Sequence, residues 1–429
     1  MSWKMSDESE PFDHNGPPTR NRWPAVFNPS NFDTGHVLGI TAFLAPIVGF
    51  IAPKGLAPLL AISALAALAS GRLRDGRWPS PPAWLTKLIA ILIAWAALSA
   101  VWSINSIGTL GKLPSFALLL VAGLAIVDAA LRLIPDRCRM VARHLAIGQA
   151  VALACMLLDR LTGGIVREII AGHILERNSF LNLYNVSATM VVLFVWPLMV
   201  RAARIHILAL VALWLLVLGV VLSLISSAAV LAIVIGGAGF ALVALAPRIG
   251  GTVIAGAIAL SVLVAPALPP SQEQSAHLLE TYDELPRSGY HRLLIWHFVA
   301  DRISERPFLG WGFNTSRDIP GKGNQIAQYE TALPLHPHNA ALQWWLELGA
   351  PGAILGAALV ILLMRAIGRA RASIIGKASA ASLVISAVTV CFLSYGIWQS
   401  WWIAALWLVG AFMVASLRST VDVPRSERS

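Results

Sequence analysis

Apolar runs about as long as a lipid bilayer is thick recur along most of the chain. An α-helix needs about 20 residues to cross the hydrocarbon core. Twelve runs come close to or reach that length, at residues 36–53, 55–71, 84–102, 113–131, 140–161, 181–200, 205–223, 225–246, 250–268, 344–365, 378–397 and 400–418. Backbone polar groups must be paired inside lipid, which a helix achieves within its own segment. The sequence therefore predicts an all-α, polytopic membrane protein with about 12 transmembrane helices.

The basic residues indicate how these spans are oriented. The chain has 32 Lys and Arg against 22 Asp and Glu, a formal net charge of +10, yet only 13% of its residues are charged. With the N-terminus in the cytoplasm, every predicted cytoplasmic segment contains a basic residue, as the positive-inside rule requires. The excess charge therefore indicates topology, with both termini cytoplasmic, and we expect no nucleic-acid partner.

The spans divide the chain into five parts. Residues 1–35 are polar and proline-rich, and we expect a disordered cytoplasmic tail without a cleavable signal sequence. Residues 36–268 contain the first nine spans, residues 344–418 the last three, and residues 419–429 a cytoplasmic tail. Between them, residues 269–343 form one large loop that would face the periplasm of a bacterium. Long ordered loops are commonly functional.

An amphipathic helix is predicted inside this loop, from Tyr290 to Arg306. Its apolar residues recur at helical spacing, and they are Leu293, Trp296, Ala300 and Ile303. Such a helix would lie on the membrane or pack against the bundle. Pro307 would end it, and Gly310-Trp311-Gly312 would form a turn. A second, shorter outside segment covers about residues 162–180.

Two histidines lie where the large loop meets the tenth span. In His336-Pro337-His338-Asn339, Asn339 is a plausible N-cap, which places His338 beside a helix N-terminus that attracts anions. A histidine there could take a proton from a hydroxyl near neutral pH. Interfacial histidines that only bond loop carbonyls are an equally good interpretation of the residues alone. A zinc site is not favoured, because the pair lacks a convincing third ligand.

Arginines are the candidates for binding an anionic substrate. The outside segments contain no carboxylate pair in a clear metal-binding context, so a diphosphate would need cations of the protein instead. The planar guanidinium binds phosphate through two hydrogen bonds. Arg177, just before the sixth span, and Arg292, on the amphipathic helix, are the best candidates. From the residues alone, snorkelling or a solvated ion pair is the more frequent role of such arginines.

Three stretches resemble motifs of the bacterial O-antigen ligases and polymerases. His338-Asn339, nine residues and then Gly349-Ala350-Pro351-Gly352 is similar to the pattern H-N-x9-G-x-x-G. The segment from Arg292 to Gly312 resembles a second motif, and Arg177-Asn178-Ser179-Phe180 resembles the start of the sixth span. One motif differs, because the residues at 223–228, in place of an S-x-S-R-like sequence, contain no arginine. The resemblance covers about residues 175–355.

The resemblance implies a GT-C-like glycosyltransferase that needs no metal and no cofactor. Such an enzyme transfers a polysaccharide from undecaprenyl diphosphate to a sugar hydroxyl of lipid A–core, at the periplasmic face of the inner membrane, with inversion. In that scheme His338 is the catalytic base and Arg177 and Arg292 bind the donor diphosphate. His336 and Asn339 would support the site. The partners implied are the lipid-linked donor, the lipid A–core acceptor and membrane lipid.

Two alternatives stay open on the sequence. A polymerase of lipid-linked repeat units would use the same chemistry with a different acceptor. A membrane transporter would share the number of spans, but the two halves of the chain show no convincing repeat. Charges within the spans are also few. Asp128, Asp159 and Arg160 lie near span ends, where snorkelling is expected rather than a proton relay.

Overall fold

The computed structural model describes residues 33–172, 177–224, 226–271, 273–274, 287–327 and 330–420. In these ranges it contains fourteen α-helices and one antiparallel pair of short strands. The helices are α1 (Thr34–Ile51), α2 (Leu56–Asp75), α3 (Ala83–Leu98), α4 (Ser106–Arg132), α5 (Pro135–Leu161), α6 (Ile165–Ala171), α7 (Arg177–Ile205), α8 (Ile207–Ser223), α9 (Ser227–Leu245), α10 (Gly250–Leu263), α11 (Arg287–Glu305), α12 (Ala340–Arg369), α13 (Ile374–Leu393) and α14 (Ser400–Arg418). The strands are β1 (Gln325–Ala327) and β2 (Glu330–Thr331).

The predicted spans match this set of helices. In the described residues, ten helices are long and apolar enough to cross a membrane, and α8 and α10 are shorter apolar helices. Together they coincide with the twelve predicted runs, so the prediction of an all-α polytopic membrane protein is confirmed. Several helices extend beyond their apolar runs because polar caps set their ends. Asn105, for example, accepts a hydrogen bond from the N–H of Gly108 at 2.8 Å and starts α4 seven residues early.

The predicted tails fall mostly outside the described residues. Of residues 1–35, residues 1–32 are not described, and α1 already begins at Thr34 behind its cap Asp33. Of residues 419–429, only residues 419 and 420 are described. The disorder expected for both tails therefore stays a prediction.

Helix α7 is the central helix of the bundle. Of its apolar window, 83% is buried, more than in any other described span. It packs against α1, α5, α8, α9, α13 and α14. Trp196 is fully buried on α7, and its indole N–H donates to the Ser386 hydroxyl of α13 at 2.9 Å. The bundle therefore surrounds α7, which begins at the predicted site residue Arg177.

Asp159 contradicts the expectation that charges near span ends snorkel outward. Its side chain is fully buried and accepts hydrogen bonds from the Tyr184 hydroxyl at 2.8 Å and from the Arg167 backbone N–H at 3.1 Å. The guanidinium of Arg167 lies 3.4 Å from the same carboxylate. Helix α6, which the sequence did not predict, brings Arg167 into the bundle. The snorkelling interpretation of Asp159 is wrong because its tertiary partners offset the desolvation cost of burying the carboxylate.

The predicted amphipathic helix of the large loop is confirmed as α11, and it packs on the bundle. Its fully buried residues are Ile295, Val299 and Ile303, which join a core cluster with residues of α10 and α12. Of the predicted apolar stripe, only Ile303 lies in this buried set. Trp296 lies outside this buried set and points towards Pro337, to whose carbonyl its indole N–H donates at 2.9 Å. This contact brings the helix to the two histidines.

Candidate active site

The loop that carries the histidines ends at a capped helix. The Asn339 side chain accepts a hydrogen bond from the N–H of Leu342 at 3.2 Å, so the predicted N-cap of α12 is confirmed. His338, just before it, has a φ of 53°. Residues other than glycine adopt this left-handed conformation at a cost of about 1–2 kcal/mol. In this conformation the imidazole contacts Ser394, the first residue of the segment between α13 and α14, residues 394–399, which we call the α13–α14 linker.

A carbonyl of this linker fixes the tautomer of His338. Its Nδ1 lies 2.7 Å from the carbonyl oxygen of Ser394. Because a carbonyl only accepts, Nδ1 must carry the hydrogen, which leaves Nε2 of the neutral ring with a lone pair. In the part of the chain that the structure describes, no group hydrogen-bonds to this Nε2. His338 is therefore prepared to accept a proton.

Burial makes the neutral form of His338 persist to lower pH. Burial lowers the pKa of the imidazole, and the hydrogen bond to Ser394 opposes that shift. The charges of Arg292 and His291 lower the pKa further. A base that is neutral over the physiological range does not first have to lose a proton, which suits general-base catalysis.

His336 supports the turn around His338. Only 7% of its surface is exposed, and its ring centroid lies 4.3 Å from that of His338. Its Nδ1 accepts the backbone N–H of His338 at 3.2 Å, and Gln399 of the linker contacts its Nε2 at the same distance. Burial, with smaller effects from His338 and Arg317, lowers the pKa of His336 to about 3. His336 therefore remains neutral and packs beneath the candidate base.

Arg292 provides a cation beside His338. It is half-buried on α11, close enough for its charge to act on His338 and on Tyr395 of the linker. Burial lowers the pKa of the guanidinium, and Tyr395 opposes this effect. Among the described residues, no carboxylate lies within salt-bridge distance of Arg292. A half-buried cation without an acidic neighbour is suited to an anionic ligand.

For Arg177 the structure gives the position in a helix but not that of the side chain. It is the first residue of α7, as predicted for the start of the sixth span, but its side chain lies outside the described residues. Further along α7, the Thr189 hydroxyl lies 3.4 Å from the Tyr395 hydroxyl. The helix that begins at Arg177 therefore contacts the α13–α14 linker, whereas the position of its guanidinium stays a prediction.

The two longer motifs of the sequence form one unit. Gly349 interrupts α12 with φ 64° and ψ −163°, which frees backbone carbonyls in the middle of the helix. The N–H groups of Trp311 and Gly312 donate to the carbonyls of Leu346 and Glu347 at 2.8 and 2.9 Å. The N–H of Ala350 donates in turn to the carbonyl of Pro307 at 2.9 Å. The turn after α11 is thus docked into the break of α12.

Sequence reasoning missed Glu347, which lies inside the tenth predicted span. Its carboxylate is fully buried and accepts from the backbone N–H groups of Asn314 and Ser316, the Ser316 hydroxyl, the Gln343 amide and the Trp398 indole. A lone carboxylate within an apolar run is the signal that could have identified it, since such groups are costly in a membrane. In the described residues, no group of three or more His, Cys, Asp or Glu could hold a metal ion.

Comparisons with known proteins agree with this geometry. The sequence model of the O-Antigen ligase family matches residues 191–357. A protein of Rickettsia conorii, named for polysaccharide ligation, is 30% identical over 329 residues, which cover 74% of this chain and 77% of the relative. The chain belongs to the O-antigen ligase family. A Rickettsia felis protein with the same kind of name is 28% identical over 404 residues, covering 87% of this chain and 96% of its own length.

Membership in the O-antigen ligase family confirms the resemblance drawn from the motifs. The matched segment, residues 191–357, extends from α7 to the middle of α12. It therefore contains Arg292, both histidines and the turn after α11 that is docked into the break of α12, whereas Arg177 lies before it.

Proposed function

We propose that this chain is a glycosyltransferase that ligates a polysaccharide from undecaprenyl diphosphate to a sugar hydroxyl of lipid A–core. The observation that carries the proposal is the pairing of two features. Nε2 of His338 has a free lone pair, and Arg292, which has no acidic neighbour in the described residues, is close enough for its charge to act on His338. One group is suited to an acceptor hydroxyl and the other to a diphosphate. Family membership supports the substrate class.

The reaction can be written with these groups alone. The acceptor hydroxyl gives its proton to Nε2 of His338 as its oxygen attacks the anomeric carbon. The bond from that carbon to the diphosphate breaks, and its electron pair leaves on the diphosphate oxygen. Arg292 and, by expectation, Arg177 stabilise the new negative charge. The Ser394 carbonyl accepts the Nδ1–H of the imidazolium that forms. Attack opposite the leaving group inverts the anomeric centre, and we propose that no metal takes part.

The orientation of the helices supports a periplasmic site. Helices α4, α7, α12 and α14 begin at the end that holds the candidate site or the α13–α14 linker. Their far ends carry basic residues, namely Arg132, Arg204, Arg369 and Arg418. Because basic residues are retained on the cytoplasmic side, we place both termini in the cytoplasm and the site at the periplasmic face of the bacterial inner membrane.

Reconstitution tests this function. The purified protein in liposomes receives the lipid-linked glycan and lipid A–core, and mass analysis identifies the product. We expect His338→Ala to reduce transfer at least about 100-fold, because general-base catalysis contributes about 10²–10⁴-fold. His297→Ala is the matched control, since His297 lies on α11 and contacts only Asp301 at 3.7 Å among the ion pairs of the described residues. Normal transfer by the His338 variant would reject the catalytic role.

The donor-binding role is tested in the same assay. Arg292→Ala and Arg177→Ala should raise the KM for the lipid-linked donor. Arg302→Ala is the control, because Arg302 lies on the same helix as Arg292 but is paired with Glu305 at 2.9 Å. EDTA should leave the rate unchanged, and strong inhibition by EDTA would overturn the metal-free mechanism.

Polymerisation is the second candidate. Many family members have an S-x-S-R-like sequence at this place, whereas residues 223–228 of this chain contain no arginine, which weakens the case for ligation relative to polymerisation. A lipid-linked repeat unit offered as the acceptor distinguishes the two. Extension of the repeat unit without transfer to lipid A–core would favour the polymerase.

A further inference from the structure

Glu347 is held by hydrogen bonds from both of its carboxylate oxygens. Oε2 accepts from the Asn314 N–H and, at 2.7 Å, from the Trp398 indole. Oε1 accepts from the Ser316 hydroxyl, from the Ser316 N–H at 3.3 Å and from the Gln343 amide at 2.9 Å. In the described part of the chain no Lys, Arg or His contacts it. Burying a carboxylate without a counter-charge is costly unless donors surround it, as they do here.

These donors come from three separate segments of the chain. Asn314 and Ser316 belong to the turn that follows α11, and Gln343 is on α12 one turn before Glu347. Trp398 belongs to the α13–α14 linker. Gln343 reinforces the same connection, because its Oε1 accepts the backbone N–H of Ile397 at 3.0 Å. The linker is therefore attached to α12 through both the Glu347 carboxylate and the Gln343 amide.

The α13–α14 linker also forms one wall of the candidate site. The Ser394 carbonyl bonds Nδ1 of His338 at 2.7 Å, and Gln399 contacts His336 at 3.2 Å. Gly396 packs so closely that a Cβ there would lie 2.9 Å from the His336 ring. Whatever fixes the linker therefore fixes the imidazole and its tautomer.

We propose that Glu347 is a positioning residue for His338, which it orients by holding the α13–α14 linker and the turn at residues 312–316 onto α12. The proposal rests on the function proposed above for His338, but it concerns a carboxylate that touches neither substrate. Glu347 acts through Trp398 and Gln343 on the linker, and the linker acts through the Ser394 carbonyl on the ring.

Replacement by glutamine tests this chain of contacts at nearly constant volume. The amide of Glu347→Gln presents an NH2 group where one carboxylate oxygen was, so the N–H donors at that position lose their acceptor. We expect kcat to fall about 10- to 100-fold with the donor KM changed less than about twofold, since a small misplacement of a catalytic group has effects of this order.

Hydrogen exchange provides a readout that does not require activity. In Glu347→Gln, the backbone amides of residues 394–399 and 312–316 should exchange faster than in the wild type. The exchange rates of the transmembrane helices should be unchanged. Asp128→Asn is the matched control. Asp128 is also a buried carboxylate, 6% exposed and 2.9 Å from Arg132, but it lies near the opposite end of α4 from the site. Its variant should leave exchange at residues 394–399 as in the wild type.

The tautomer of His338 gives the most direct test. In protein labelled with 15N-histidine, the wild-type signal of His338, assigned by its loss in His338→Gln, should report protonated Nδ1 and unprotonated Nε2. Glu347→Gln should shift this signal towards a mixture of tautomers. If Glu347→Gln fails to fold, Trp398→Phe replaces it, because it removes one donor and keeps an aromatic ring; the same shifts are expected, smaller in size.

The outcomes separate this proposal from the proposed function. Unchanged exchange at residues 394–399 and an unchanged tautomer in a folded variant would overturn the positioning role, whatever the activity. A wild-type protein that transfers no glycan would refute the proposed function, while exchange and the histidine signal would still decide the role of Glu347. A fall in kcat together with faster exchange at residues 394–399 and a mixture of His338 tautomers supports the positioning role of Glu347.

Discussion

Replacing Gly349 by alanine should separate the turn after α11 from the break in α12. With φ 64° and ψ −163°, Gly349 occupies a region that is open almost only to glycine and costs other residues about 1–3 kcal/mol. An added Cβ would also lie 2.2 Å from the carbonyl oxygen of Phe308, which is backbone and cannot rotate away. The docked turn must therefore move.

The expected size of the effect follows from the bonds at the break. Three backbone hydrogen bonds join the turn to α12 at 2.8, 2.9 and 2.9 Å, and each contributes about 0.5–1.5 kcal/mol net. If the turn is displaced, the loss of these bonds adds to the strain. We expect Gly349→Ala to lower the free energy of unfolding by about 2.5–7.5 kcal/mol, a large part of the about 5–15 kcal/mol typical of folded proteins.

The measurement is reversible unfolding in mixed micelles by titration with sodium dodecyl sulfate. Gly368→Ala is the matched control, because Gly368 lies on the same helix with nothing within 4 Å of an added Cβ. Alanine there should be neutral or stabilise by up to about 1 kcal/mol, since it is the better helix former. If Gly349→Ala were as stable as Gly368→Ala, the docking of the turn into the break of α12 would not constrain the fold.

Two further predictions concern the candidate base. Because burial lowers the pKa of His338 in the free protein, its neutral form extends below pH 6.5, so kcat/KM for the donor should decline only below that pH. In Arg292→Gln the decline should begin at higher pH, since a charge that disfavours the imidazolium is gone. A pH profile of kcat/KM for the donor measures both, and a wild-type decline centred above pH 6.5 would contradict the effect of burial. Trp296→Phe removes the hydrogen bond to Pro337, which helps to hold the loop that carries His338. Losing this bond, worth about 1 kcal/mol, should lower kcat up to about fivefold. Trp345→Phe, whose indole bonds Val262 instead, is its control, and an equal fall in both variants would remove the special role of the Pro337 contact.

The helices of this protein could be predicted because each span carries its own signal. A run of about 20 apolar residues must be helical in lipid whatever surrounds it. The N-cap Asn339, the amphipathic character of α11 and the turn at Gly310-Trp311-Gly312 were likewise local features. The orientation of α11 was not, since Trp296 turns towards Pro337, a residue 41 positions away in the chain.

The candidate site was predicted by residue type but not by arrangement. The sequence drew attention to His338, His336, Asn339 and Arg292, and tertiary packing brings them to one place. It gave no reason to expect the Ser394 carbonyl on His338, because that contact joins residues 56 positions apart. Asp159 was interpreted wrongly for the same reason, since its partners on α6 and α7 were invisible in the local pattern.

The amino-acid sequence by itself determined the class of protein, the positions of its apolar helices and the residue types available for chemistry. These depend on hydrophobicity, charge and short spacings, which act along the chain. Only the tertiary structure decided which tautomer His338 adopts, that the charge of Arg292 acts on it, and that Glu347 joins α12 to the α13–α14 linker. Hydrogen bonds, burial and Coulomb interactions act through a few ångströms of space. Which distant residues come within that range is decided by how the helices pack.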